Sequence, residues 1–147
     1  MYGVSCRERP GRKGCAAMPY TALVIDDDPQ FLELMQSLLG SEGYQVSVCS
    51  ESALAYERAK AVKPDVITLD LRMPGPSGWE VLAEIKRDPE LAAIPVIVVS
   101  AAGAELAETT ERLRYLGFPN VDVLVKPFEI DELLSRLAEA IVMGSRQ

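Results

Sequence analysis

Apolar and polar positions alternate along this chain in two rhythms that take turns. Four short apolar runs, Ala22–Ile25, Asp65–Leu69, Ile94–Val99 and Val121–Val125, are each followed at once by a polar group: Asp26-Asp27-Asp28, Asp70, Ser100 and Lys126-Pro127. Runs of this length bounded by turn residues read as buried strands. A fifth strand, Tyr44–Cys49, is set apart by Gly40 and Gly43. Between the runs the spacing becomes helical. Phe31, Leu32, Met35, Leu38 and Leu39 predict a first helix from Pro29 to about Leu39, with Asp28 as its cap and Pro29 in its first turn. Ser50 is the expected cap of a second helix reaching Val62, which Pro64 stops. Met73-Pro74-Gly75-Pro76 reads as a stiff loop, and Ser77 as the cap of a third helix with Trp79, Leu82 and Ile85 facing inward. A weaker fourth helix over 104–116 carries Leu106, Leu113 and Leu116. The last shows Ile130, Leu133, Leu134, Leu137 and Ile141.

Five βα units predict an α/β fold, a doubly wound five-stranded parallel sheet covered on both faces. Strand order cannot be read from periodicity, and 2-1-3-4-5 is the expected order on fold grounds. It would set the first and third strands side by side and gather Asp26, Asp27 and Asp70 at the carboxyl edge, where such sheets bind ligands. The predicted domain spans 20–143, between a disordered tail at 1–19 and a short tail at 144–147. Met18 is an alternative start.

Composition narrows the chemistry. At 147 residues with 48% apolar and 25% charged, the chain suits one soluble domain with a real core. The net charge of −7 understates the acidity of the body, because Arg7, Arg9, Arg12 and Lys13 face only Glu8 in the first 20 residues. So acidic a body speaks against nucleic-acid or anionic-membrane partners. No apolar stretch approaches the roughly 20 residues that span a bilayer, and no secretory leader is visible. Three cysteines, Cys6, Cys15 and Cys49, lack paired spacing, which points to reduced thiols and a cytoplasmic location. Cys49 reads as a small core residue. The absence of histidine excludes Ser-His-Asp hydrolysis and the common histidine-containing zinc sites.

Across 21–143 these residues, in this order, resemble the receiver domain (CheY-like) of bacterial two-component response regulators. The matching segments are Val24–Pro29, Asp65–Leu82, Pro95–Ala101 and Val123–Phe128. The resemblance implies that Asp70 is the phosphoacceptor. It implies that Asp27 and Asp70 ligate a divalent metal directly, that Asp26 acts mainly through a bound water, and that Arg72 offers its backbone carbonyl. Mg²⁺, with Mn²⁺ as the alternative, suits such oxygen ligands. Ser100 and Ala101 are the implied phosphate-sensing pair, Lys126 the cation that pairs with Asp70 and then its phosphate, and Pro127 the residue that shapes the loop, through a bond often cis in this family. Asp28 is explained by capping, and Trp79 by packing.

The implied partners are a histidine kinase or histidine phosphotransfer protein as donor and a downstream target on the face of the fourth helix, fifth strand and fifth helix, with a phosphorylation-dependent dimer also compatible. Two departures bear on switching. Val123 replaces the usual aromatic three residues before the lysine, and Phe118-Pro119-Asn120 lengthen the preceding segment. Ser77 stands where an aspartate is frequent. Only Gly144–Gln147 follow the last helix, so the expectation is a single-domain regulator acting by docking, or one domain of a larger polypeptide. The receiver turns over no small metabolite. Two other readings stay open: an unphosphorylated adaptor on the same scaffold, and a phosphatase of the haloacid-dehalogenase kind, for which Asp26 and Asp28 formally supply the acidic pair but no cap insertion is present.

Overall fold

The computed structural model describes residues 20–145 apart from Pro74, Pro76 and Ala102. The five strands are β1 (Thr21–Ile25), β2 (Gln45–Cys49), β3 (Val66–Asp70), β4 (Val96–Ala101) and β5 (Val121–Lys126), alternating with α1 (Pro29–Ser41), α2 (Ser52–Val62), α3 (Gly78–Arg87), α4 (Ala104–Leu116) and α5 (Ile130–Ser145). All pairings are parallel, in the order β2-β1-β3-β4-β5. The doubly wound arrangement expected from the alternation is the one found. The predicted tail at 1–19 lies outside the described residues, as does part of the proline-rich loop; α5 runs two residues past the predicted domain end.

The pleat sends successive strand residues to opposite faces, so each buried strand feeds two cores. Leu23, Ile25, Ile67 and Leu69 pack with Ala55, Val81, Leu82 and Ile85 of α2 and α3. Ala22, Val24 and Ile97 pack with Leu32, Met35 and Leu39 of α1 and with Leu133, Leu137 and Ile141 of α5. Ile130, predicted as part of the inward stripe of α5, is 39% exposed instead. It opens the helix, where the chain has just left the sheet edge.

Local chemistry ends and starts the helices. Asp28 Oδ1 accepts from Gln30 N–H at 3.0 Å, and Ser77 Oγ accepts from Glu80 N–H at 3.3 Å, so both capping expectations hold. The second helix differs from its expectation: its cap is Glu51, which makes no side-chain capping bond, and Ser50 lies one residue outside. The segment before β5 has a structural use. Asn120 takes a left-handed conformation (φ 55°), donates from Nδ2 to Ala93 O at 3.1 Å and accepts from Val96 N–H at 2.9 Å, which fixes where β5 begins beside β4. α4 is the least anchored helix. Thr109 is its one buried side chain among the described residues; Leu106 and Leu113 are half-buried and Leu116 is exposed. Cys49 is a buried free thiol whose Sγ donates to Glu51 O at 3.2 Å.

Candidate metal and phosphoryl site

Parallel pairing in the register Ile25↔Leu69 puts the ends of β1 and β3 side by side. Asp26 and Asp27 leave the first and Asp70 closes the second. Their carboxylates each bring an oxygen within 4.8 Å of the others, which gathers the three acids the sequence analysis singled out. They differ sharply in surroundings. Asp26 is 1% exposed, Asp70 half-buried and Asp27 exposed. Asp28 N–H holds Asp26 Oδ1 at 2.9 Å and Arg72 N–H holds Asp70 Oδ1 at 3.0 Å, so each acid has one oxygen fixed by the backbone two residues on. Asp26 Oδ2 is buried and makes no hydrogen bond.

Burial is the main reason that the Asp26 carboxyl is pushed up to about 6; Asp70 and Asp27 add repulsion, while the Asp28 N–H and Lys126 oppose the rise. Asp70 is raised as well, by burial first, against the pull of Arg72 N–H and Lys126 and with repulsion from Asp27 and Glu105. A buried oxygen without a donor among three clustered acids is an unfavourable arrangement by itself. Hard oxygen donors crowded this closely are what a small divalent cation takes, so the residues fit such an ion.

Lys126 and Ser100 stand where the sheet brings them, with differences from expectation. Lys126, paired in register with Ala101, ends β5 before a cis Lys126–Pro127 bond. Its Nζ lies 3.9 Å from Asp26 Oδ2, so the ion pair seen is with Asp26, where Asp70 was expected. The ammonium also sits 4.9 Å over the Phe31 ring, which Phe128 meets edge-on with centroids 6.4 Å apart. Asp26 is the deeper and less compensated acid, which accounts for the choice of partner. Ser100 is buried, and its hydroxyl donates to Ala101 O at 3.1 Å.

Two further residues shape the site and were not singled out in the sequence. A Cβ on Gly78 would lie 2.4 Å from Leu71 Cα and 2.7 Å from the Asp70 carbonyl oxygen, so α3 can approach the end of β3 this closely only with glycine there. Glu105, in the first turn of α4, lies with Oε1 3.2 Å from Arg72 Nε and accepts from Ala101 N–H at Oε2, 3.2 Å away. Phe31 was read only as core. Its aromatic face toward a cation could have been suspected from no local spacing.

Residues 22–138 match the family model described as the response regulator receiver domain. The transcriptional regulatory protein KdpE of Mycobacterium tuberculosis is 38% identical over 119 residues, covering 81% of this chain and 50% of that protein. The probable transcriptional regulatory protein TcrX of the same species is 32% identical over 119 residues, covering 81% and 48%. The chain thus spans about half the length of these curated relatives. Among solved structures, the receiver domain of a sensor histidine kinase from Pseudomonas aeruginosa, described with a magnesium ion coordinated in its active-site cleft, is similar with a TM-score of 0.72 and 27% identity over 84% of this chain and 98% of that one. The Vibrio cholerae chemotaxis protein CheY4 shares the fold, with a TM-score of 0.74 and 22% identity over 83% of this chain and 98% of that one.

Proposed function

The chain belongs to the response regulator receiver domain family of two-component signalling, and from that premise we propose that it accepts a phosphoryl group on Asp70 from the phosphohistidine of a kinase or phosphotransfer protein. The observation that carries the reading is the three-carboxylate cluster, in which the buried Oδ2 of Asp26 makes no hydrogen bond. Asp27 and Asp70 would hold Mg²⁺, or Mn²⁺ in its place, directly, with Arg72 contributing its carbonyl and Asp26 reaching it through water. A divalent cation there neutralises the charge that builds on the phosphoryl oxygens.

The chain's own residues do the rest. Arg72 N–H fixes Asp70 Oδ1, leaving Oδ2 to attack phosphorus. As that P–O bond forms, the P–N bond of the phosphohistidine breaks and its electron pair returns to the imidazole nitrogen. Lys126, whose charge already acts on Asp70, would pair with the new phosphoryl oxygens, and Ser100 can turn its hydroxyl from Ala101 O to the same group, with the small Ala101 leaving room. Hydrolysis reverses the loading: water attacks phosphorus and the Asp70 carboxylate leaves. Pro127 sets the direction of the chain after Lys126.

The output is a shift in docking surface, through the face of α4, β5 and α5 toward a downstream protein or a second copy, in the cytoplasm. No described helix is long and apolar enough to cross a membrane. Incubation with acetyl phosphate and Mg²⁺, followed by intact mass and peptide mapping, tests the reading. One phosphoryl group on Asp70, lost in Asp70→Asn and in chelator, is expected. An unchanged mass, or sustained turnover of p-nitrophenyl phosphate, would overturn it.

A further inference from the structure

Glu105 has no part in the phosphoryl-accepting set, yet its carboxylate touches both loops that frame it. One oxygen meets the guanidinium of Arg72, two residues beyond Asp70; the other accepts from the backbone N–H of Ala101, which ends β4 beside Ser100. A single side chain from the first turn of α4 therefore ties that helix to the ends of β3 and β4. Helix stabilisation alone does not explain it. An acid at this position would serve α4 through the helix dipole or by accepting from the helix's own N–H groups. Here Gly103 starts the helix at φ 84° with no side-chain cap, and the carboxylate turns back off the helix to the strand.

We propose that Glu105 is an internal anion that holds, in the unphosphorylated protein, the Ala101 N–H and Arg72 guanidinium that a phosphoryl group on Asp70 would otherwise attract, and that its displacement frees the start of α4. This rests on Asp70 being the acceptor. Phosphorylation adds about −1.5 to −2 of charge next to a carboxylate that already raises the proton affinity of Asp70. The same charge attracts both partners of Glu105. The carboxylate is repelled as its partners are drawn away, and the contact breaks. What it releases is lightly held, because Thr109 is the one buried side chain of α4 among the described residues. The device also supplies a route from the site to the α4 face that needs no aromatic at position 123, where this chain has valine.

The test compares wild type, Glu105→Gln, Glu105→Ala and Glu108→Gln for phosphorylation by acetyl phosphate with Mg²⁺, with amide hydrogen exchange of residues 104–108 before and after. Glu108 is exposed one turn along the same helix and controls for loss of a nearby negative charge. Both Glu105 variants are expected to load about three- to tenfold faster, the span of one net intramolecular hydrogen bond, and Glu108→Gln at the wild-type rate. Exchange over 104–108 should quicken in wild type on phosphorylation and be fast beforehand in Glu105→Gln. Equal acceleration by Glu108→Gln, an unchanged rate in Glu105→Gln, or unphosphorylated exchange identical in wild type and Glu105→Gln would each overturn the tether. Failure of wild type to load Asp70 would instead overturn the acceptor assignment and the switch with it.

Discussion

Gly78→Ala puts one methyl group where the backbones of α3 and β3 nearly touch. The new carbon would stand 2.4 Å from Leu71 Cα, 2.7 Å from the Asp70 carbonyl oxygen and 3.0 Å from Leu71 C. Carbon pairs rest at about 3.5–4.0 Å, so the start of α3 must retreat by about 1 Å. All three obstructing atoms are backbone, so no rotamer change can make room. Gly78 N–H also donates to Leu71 O at 3.1 Å, a bond that the retreat stretches. Overpacking of this kind costs about 2–3 kcal/mol, a large share of the roughly 5–15 kcal/mol that stabilises a domain. The chain should still fold, with its urea midpoint lowered by about 1 M for a slope near 2 kcal/mol/M. Trp79, the single tryptophan, is the adjacent reporter. Its fluorescence follows both unfolding and any Mg²⁺-induced change, and the latter should need more metal because the new methyl group crowds the backbone of Asp70. Gly40→Ala is the control: it lies in α1, nothing stands within 4 Å of where its methyl group would sit, and the change should stabilise by about 0.5–1 kcal/mol. A Gly78→Ala midpoint within about 0.2 M of wild type would refute the close approach.

Asp26→Asn removes a charge that burial disfavours, so the metal-free variant at pH 7 should be more stable than wild type by about 1–3 kcal/mol. Calorimetry with and without Mg²⁺ should also find its metal-induced gain much reduced; an equal gain would contradict a role for Asp26. Asp88 is held down at about 2 by the Tyr56 hydroxyl at 2.6 Å, the Glu90 N–H and Lys60. Its folded pKa lies below the unfolded value near 3.8, so its contribution is present above pH 4 and is lost as pH falls toward 2. Asp88→Asn should flatten that limb of the urea-midpoint curve, and parallel curves for the two proteins would remove the account.

β1, β3 and β4 were legible because each is a buried apolar run, whereas β5, expected to be buried too, is an edge strand with Leu124 its one buried residue; the site was legible because its acids sit where β1 and β3 stop. Asp28 and Ser77 were legible as caps because their hydroxyl or carboxylate acts within three residues. What escaped depends on distances across the fold. Gly78 matters through contact with Leu71 and Asp70, which no local pattern reveals. Glu105 reads as an ordinary acid in a first helical turn, and only the meeting of the β3 and β4 ends gives it two partners. The 3.9 Å contact of Lys126 with Asp26, beside its pull on Asp70, is not visible in spacing, because the burial of Asp26 is not. The apolar stripe of α4 is weak in sequence, and among the described residues Thr109 is its one buried side chain.

Crystals of the protein soaked in Mn²⁺ and measured for anomalous scattering test the central claim most directly. The account expects a single strong peak between the carboxylates of Asp26, Asp27 and Asp70, within ligand distance of the last two and absent from Asp70→Asn crystals. A peak elsewhere with that cluster empty, or one that persists unchanged when Asp27 and Asp70 are both replaced by Asn, would contradict it.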